Sequence, residues 1–479
     1  MYLTVFIRKH KLYFFMLIFD LMALAASAVA SESSIFANAY SHSVYRSVSL
    51  FISSITGLLP FSLVEILFYV LLIFIPGDLV FQIASSFRKH SSKRIESPDD
   101  ETGVTGPQQS ALPVSPKSPR TGPSKSQRLA GAASAFFLHL FLIFSLLFTL
   151  YVFNCGINYR RSSFSSEAGL SSVSPELNEE ALTELCEYLV ENINASELKL
   201  LSPYTEETLS SDNVSGGTTV QNGTLSREEN QGLPGYDSEE QVSTDVNYPE
   251  KSTEDSYTSP VKLENGAFLG ESWSSEKPSL SYLLNTGKTG QAAMEKIGTQ
   301  FPRLSGHYPL PKPLINSWIL SIQQVTGVYS PFTIEANYNR DIPYYDIPFT
   351  VCHELSHLRG YMQEEEANFI AILATIGSDD TYFNYSGYVS AWVYAGNALA
   401  TANPEKFAEL YNRINIHTRQ DMRYNNEFWD QYETEVAEAH EKINDAYLKY
   451  NGQASGVLSY GHVVDLMVVY YNDNGTLHS

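Results

Sequence analysis

The first 153 residues fall into three long apolar runs separated by polar stretches. Residues 12–30, 62–84 and 129–153 are each apolar over about the 20 residues that cross a bilayer core. Asp20 interrupts the first run, and Glu65 and Pro76-Gly77 the second. Arg8, Lys9 and Lys11 precede the first run, Arg88, Lys89, Lys93 and Arg94 follow the second, and Lys125 and Arg128 lead into the third. By the positive-inside rule the N-terminus and the 85–128 loop are cytoplasmic, and everything after Asn154 lies on the far side. The small residues Ala26-Ser27-Ala28 also suit signal peptidase, so the first run reads as a retained anchor or a cleaved signal. Either choice leaves the sidedness unchanged. Asp20 and Glu65 are read as interfacial or paired within the bundle and are given no role.

Beyond the third run the pattern becomes that of a folded domain with inserts. Residues 154–203 form a membrane-proximal segment, in which the Ser174-Pro start and apolar spacing through Asn192 predict an amphipathic helix. Two stretches lack any apolar period: 95–128, rich in Ser, Pro, Gly and Thr, and 204–258, where twelve acidic residues face only Arg227 and Lys251. Both are expected to be disordered, the second as an acidic spacer. Residues 259–479 are left as the main domain. Within it, Phe332, Ile334 and Ala336 alternate with Thr333, Glu335 and Asn337, which predicts one strand over 327–339. Glu335 and Asn337 would contact a substrate or the zinc helix, or simply form a solvated face. Helices are expected over 385–400 and 404–450, with Trp392, Tyr394, Trp429 and Tyr432 as core, followed by a Gly-rich loop and a last helix. The fold class is α+β and mostly helical.

The segment from Thr350 to Ala371 changes the picture from architecture to chemistry. His353 and His357 stand four apart, so on a helix both imidazoles project from one face and can meet one metal ion, with Glu354 beside it. That is the HExxH arrangement of zinc peptidases. The Glu carboxylate would take a proton from the attacking water and return it to the leaving amine. A catalytic zinc has three protein ligands and one open position, so a further ligand is required. Gly360 suits a left-handed helix cap, and a second helix is expected from Glu364. Glu364-Glu365-Glu366-Ala367-Asn368 resembles the ExxA[D/N] element of gluzincin metallopeptidases, which implies Glu364 as third ligand and Asn368 as its brace. Glu366 stays open as the alternative. Tyr460 and His462 are candidate stabilisers of an oxyanion, although ordinary structural roles account for them as well.

A net charge of −22 excludes a nucleic-acid-binding surface of the usual basic kind, and 43% hydrophobic content supplies a core. Cys155, Cys186 and Cys352 are too few for a disulfide framework, with a Cys155–Cys186 bridge left open and Cys352 read as a buried small residue. Arg160 and Arg161 are placed to meet lipid headgroups.

Leu59-Pro-Phe-Ser-Leu63, Gly156-Ile-Asn-Tyr159, Tyr329 to Asn337, the HExxH–EEEAN core and Ser459-Tyr-Gly461 together resemble bacterial membrane proteins grouped as domain-of-unknown-function family 3810. The resemblance covers nearly the whole chain and implies a membrane-anchored, zincin-like domain with an edge strand beside the HExxH helix. The expectation is a Zn2+-dependent metallopeptidase that acts on a peptide or protein outside the cytoplasmic membrane, in contact with the lipid bilayer and not with nucleic acid. The competing expectation is a non-catalytic envelope binding or sensor domain that zinc merely stabilises.

Overall fold

A computed structural model describes residues 11–91, 124–170, 178–211, 258–451 and 462–478. The Gly-rich loop with Tyr460, most of the 95–128 loop and residues 212–258 apart from Thr258 lie outside the described residues. Contacts divide the chain into two units, Met1–Leu24 with Glu65–Leu150 and Ala25–Val64 with Tyr151–Ser479.

The first unit is built from three helices, α1 (Lys11–Glu32), α2 (Leu63–Ser91) and α3 (Lys125–Tyr151), whose ends pass into the second unit. All three are long and apolar enough to cross a membrane. Large apolar side chains such as Phe15, Leu21, Ile73 and Phe137 are exposed on their outer faces, the arrangement expected when lipid rather than protein covers them. The few polar groups are paired. Asp20 accepts hydrogen bonds from Ser145 (2.7 Å) and Thr149 (3.2 Å), and Asp78 meets His139 at 2.9 Å.

The second unit is mostly helical around a buried pair, α6 (Asp346–His357) and α7 (Glu364–Ile376), with α5 (Leu280–Gln300) and α8 (Thr381–Ala402) packed against them and α4 (Glu179–Ser211) packed on α8. From Glu366 to Ile376 every residue of α7 is buried, and after the acidic first turn its sequence is apolar on all faces apart from Asn368 and Thr375. Local signals set the ends: Ser279 caps α5, Asp380 caps α8 through the N–H groups of Tyr382 and Phe383, and Asn403 with Pro404 starts α9 (Pro404–Arg413). Two more helices follow, α10 (Ile416–Asp430) and α11 (Glu435–Tyr450), and α12 (His462–Asn474) comes last. The single helix expected over 404–450 is thus three, because Ile414–Asn415 and Gln431–Thr434 break it. Conversely, α4 runs on through Pro203 to Ser211, so the first residues of the acidic insert are helical.

The strand expected over 327–339 is a hairpin. β4 (Gly327–Ser330) and β5 (Glu335–Tyr338) pair antiparallel, and β3 (Lys312–Pro313) adds parallel to β5, in the order β3-β5-β4. A separate two-stranded ribbon is formed by β1 (Val261–Lys262) and β2 (Phe268–Leu269). Alternation misled because β5 is the central strand and buried on both faces: Glu335 is 2% exposed and Asn337 0%. Neither faces solvent or a substrate. Asn337 donates to the Val328 carbonyl, while Glu335 pairs with buried Lys312 and accepts hydrogen bonds from the N–H groups of Leu63 (3.1 Å) and Val64 (2.9 Å) at the start of α2. The three cysteines are free and buried, so no Cys155–Cys186 bridge forms.

Removing one partner of a buried ion pair leaves the other charged and unmatched. Lys312→Met should therefore destabilise the chain by about 3–5 kcal/mol in denaturant unfolding, and pairing it with Glu335→Gln should recover part of the loss. A second titration is built into the core. Asp421, which accepts from the Tyr385 hydroxyl (2.6 Å) and the Glu271 N–H (2.5 Å), is raised by burial from 3.8 to about 7. The folded chain then keeps a proton that the unfolded chain releases, so this group favours folding below the unfolded value and the benefit is lost as pH rises towards 7. Asp421→Asn should flatten the fall in melting temperature between about pH 4 and 7.

Candidate metal centre

The HExxH helix is short and ends where the chemistry needs it to. Gly360, at φ +82°, turns the chain out of α6, and Tyr361–Gln363 return it to α7 three residues later. A Cβ at residue 360 would sit 2.9 Å from Ser41 Oγ and 3.3 Å from the Asn158 side chain. Only glycine meets both demands.

That turn brings three ligand-type atoms together. The Nε2 atoms of His353 and His357 face each other at 3.2 Å, with the rings nearly perpendicular at 89°, and Glu364 Oε2 is 3.2 Å from His353 Nε2. The other nitrogen of each ring is engaged. His357 Nδ1 donates to the Tyr361 carbonyl at 2.7 Å, and His353 Nδ1 meets Asn368 Oδ1 at 2.8 Å. With the Nδ1 protons fixed in this way, both Nε2 lone pairs point at one place. Two nitrogens in that state repel unless a proton or a metal cation lies between them, and ligands of a tetrahedral zinc are roughly 3.3 Å apart. The donor set of two imidazoles and a carboxylate fits zinc.

Electrostatics point the same way. Burial, helped by the charge on His353 and opposed by Glu364, lowers His357 to about 4, whereas His353 is carried up to about 9 because Glu364 and Glu354 outweigh the cost of burying its charge. Glu364 is held below the usual carboxylate range: burial acts against this, and the two imidazoles overcome it. The pocket is thus organised to hold one positive charge.

Glu354 lies within the same cluster, the ligand atoms of His353, Glu354 and His357 all falling within 4.8 Å of one another. Proximity alone would admit it as a ligand. Its surroundings differ from those of Glu364, however. It is 3% exposed, one carboxylate oxygen has no partner among the described residues, and burial raises it to about 8. Gly327, at the start of the edge strand, makes room for it, since a Cβ there would lie 2.5 Å from Glu354 Oε1.

The structure also separates the rival carboxylates. Glu366 is buried with both oxygens taken by Ser165, at 3.1 Å from its N–H and 3.0 Å from its hydroxyl. Glu364 is the one brought to His353. Asn368 is where the EEEAN spacing puts it, one turn on. His462 begins α12 with an exposed side chain and meets Asp465 on its own helix at 3.6 Å; Tyr460 is outside the described residues.

Supporting residues outside the motif come from distant segments. The Tyr45 hydroxyl is 3.2 Å from the His357 carbonyl and 3.0 Å from the Tyr329 hydroxyl, which donates to the Asn154 carbonyl. Asn154 in turn donates to the Pro331 carbonyl at 2.7 Å. Arg161 donates to the Arg359 carbonyl at 2.8 Å rather than standing free for headgroups. None of these carries a spacing signal, although Tyr329 and Asn158 belong to the separate motifs noted in the sequence.

Fold and site define a helical HExxH domain joined to three candidate membrane-spanning helices. The chain belongs to the DUF3810 family, described as a protein of unknown function, whose model matches residues 123–468. No curated protein and no solved structure matches it.

The geometry yields a ranking for metal retention. In zinc titrations of the full-length protein, His353→Ala and His357→Ala should abolish binding and Glu364→Gln should weaken it strongly. Asn368→Ala should cost about 10–100-fold, and Glu366→Gln should leave affinity unchanged.

Proposed function

We propose that this protein is a membrane-anchored zinc metallopeptidase that hydrolyses peptide bonds of a peptide or protein substrate outside the cytoplasmic membrane. His353, His357 and Glu364 hold the metal and Glu354 is the general base. The observation that carries the reading is the pair of Nε2 atoms, 3.2 Å apart with both Nδ1 atoms already engaged.

Zinc bound there supplies a Lewis acid for the scissile carbonyl and lowers the pKa of the attacking water. The remaining work falls to the protein. Glu354, buried and with a free oxygen, takes the proton of the water and delivers it to the departing amine. Asn368 and the Tyr361 carbonyl keep the imidazoles in the Nδ1–H form. β4 is an edge strand beside Glu354, and an extended peptide adding to it by backbone hydrogen bonds would run along the centre.

A zinc-stabilised binding or sensor domain is the second reading. It has no use for a buried carboxylate with an unpartnered oxygen, nor for the glycine that accommodates it.

The two readings part at Glu354. The full-length protein should hold about one zinc per chain and cleave members of a quenched-fluorescent peptide library. Glu354→Gln should keep the zinc and lose at least about 100-fold in rate, and Gly327→Ala should keep zinc with reduced turnover. Zinc without cleavage by any form would favour the sensor reading, and absence of zinc from the folded wild type would overturn both.

A further inference from the structure

The second unit carries a helix whose amphipathic sense is reversed. The helical run from Ser34 to Thr56 turns small and polar residues inward: Ser41, Tyr45, Ser49, Ser53 and Thr56 are all buried. Outward it presents Val44, Val48, Phe51 and Ile55, with Leu58 just past its end, at the alternating four-and-three spacing of a single helix face. Phe51 is 68% exposed and Leu58 82%. A contiguous apolar stripe of this kind is not left to water without a reason.

Protein contacts decide which side stays outside. Tyr45 meets the His357 carbonyl, Ser41 accepts from Arg161 at 3.2 Å, Arg46 donates to the Ser305 carbonyl at 3.0 Å, and Asn38 donates to Ser162 at 2.7 Å. The outward side holds no charge. His42 and Arg46 are the only acidic or basic side chains from Ser34 to Leu58, and His42, 3.1 Å from Glu167, is turned to the protein as Arg46 is. In a chain of which 18% is charged, a solvated helix side of this length would carry several charges. The exposed serines on it are satisfied by the helix itself: Ser43 donates to the Ala39 carbonyl, Ser47 to that of Ser43 (2.8 Å) and Ser54 to that of Phe51 (2.8 Å). Hydroxyls bonded in this way need no water.

Connectivity says what covers the stripe. The run follows α1 and leads through residues 57–62 into α2, and both of those helices are long and apolar enough to cross a membrane. A segment strung between two successive spans has both ends at one bilayer surface. Leu58 and Phe61 carry the exposed apolar character up to the start of α2.

We infer that the helical run from Ser34 to Thr56 is an interfacial helix whose Val44, Val48, Phe51 and Ile55 side chains are seated in the lipid bilayer. The inference rests on α1 and α2 being membrane spans. It makes the bilayer a docking surface for the second unit, with Tyr45 joining the lipid-facing helix to the end of the HExxH helix.

The test places a nitroxide label on the full-length protein in phosphatidylcholine vesicles and compares its collisions with oxygen, which concentrates in lipid, and with a water-soluble nickel complex. The native cysteines are buried, so the label goes to the introduced thiol of Val48→Cys, Phe51→Cys or Ile55→Cys. Ile73→Cys on α2 is the lipid reference, and Glu409→Cys, exposed beside Lys406 on α9, is the water reference. Melting curves confirm that each variant folds. At positions 48, 51 and 55 the ratio of oxygen to nickel collisions should rise well above that at 409, towards that at 73. If the three positions match 409 while 73 lies in lipid, the inference is overturned and the spanning helices stand. A position 73 in water overturns the spans and the inference with them. Shelter of the stripe from both reagents means that protein covers it, as in a dimer of this chain, and also overturns the inference. Zinc is not read, so the outcome is independent of the peptidase reading.

Discussion

Two imidazoles whose Nε2 atoms meet at 3.2 Å need a proton or a metal cation between them, and the residues around them in the second unit hold them there. The Tyr361 carbonyl and Asn368 fix the rings, Gly360 allows the reversal that supplies both, and Glu364 balances the charge that the pair demands. Because α6 and α7 are largely buried, most of this set is shielded from solvent, Glu364 being the partly exposed member. The surrounding segments make polar contacts with the backbone at the end of the HExxH helix and the turn after it: Tyr45 to His357, Arg161 to Arg359.

The same logic explains a second polar knot. Lys312 and Glu335 would be costly in the interior as separate charges. They are kept by making the carboxylate serve three donors, the ammonium and the first N–H groups of α2. A strand in the middle of the small sheet is thereby tied to the start of a helix nearly three hundred positions earlier. This junction fixes β5, on which β4 depends for its place beside Glu354.

The extent to which the sequence foretold this differs by scale. The three apolar helices, the HExxH helix and the turn at Gly360 were legible because each rests on local rules: run length, i/i+4 spacing, a residue able to adopt positive φ. The start of α7 at Glu364 was legible for the same reason. The hairpin was not, since Thr333, Glu335 and Asn337 look like a solvated face until their buried partners are known. Preferring Glu364 to Glu366 from spacing relied on a resemblance; the contact that distinguishes them in the structure, Ser165 with Glu366, comes from two hundred residues away and left no local signal.

One further feature bears on how family members should be aligned. The helical run from Ser34 to Thr56 widens into π geometry at Tyr40–Tyr45, and α3 does so at Val152–Gly156. Each widening amounts to one extra residue in an α-helix. Tyr45 closes the first, and Asn154 and Cys155 lie within the second. In a homologue that lacks one residue inside either window, the helix would continue straight through in α form, and residues on one side of the gap would be rotated by about 100° relative to those on the other. A single-residue gap there would thus be a change of helix phase, which would turn Tyr45 or Asn154 away from its contact with the HExxH helix or the hairpin.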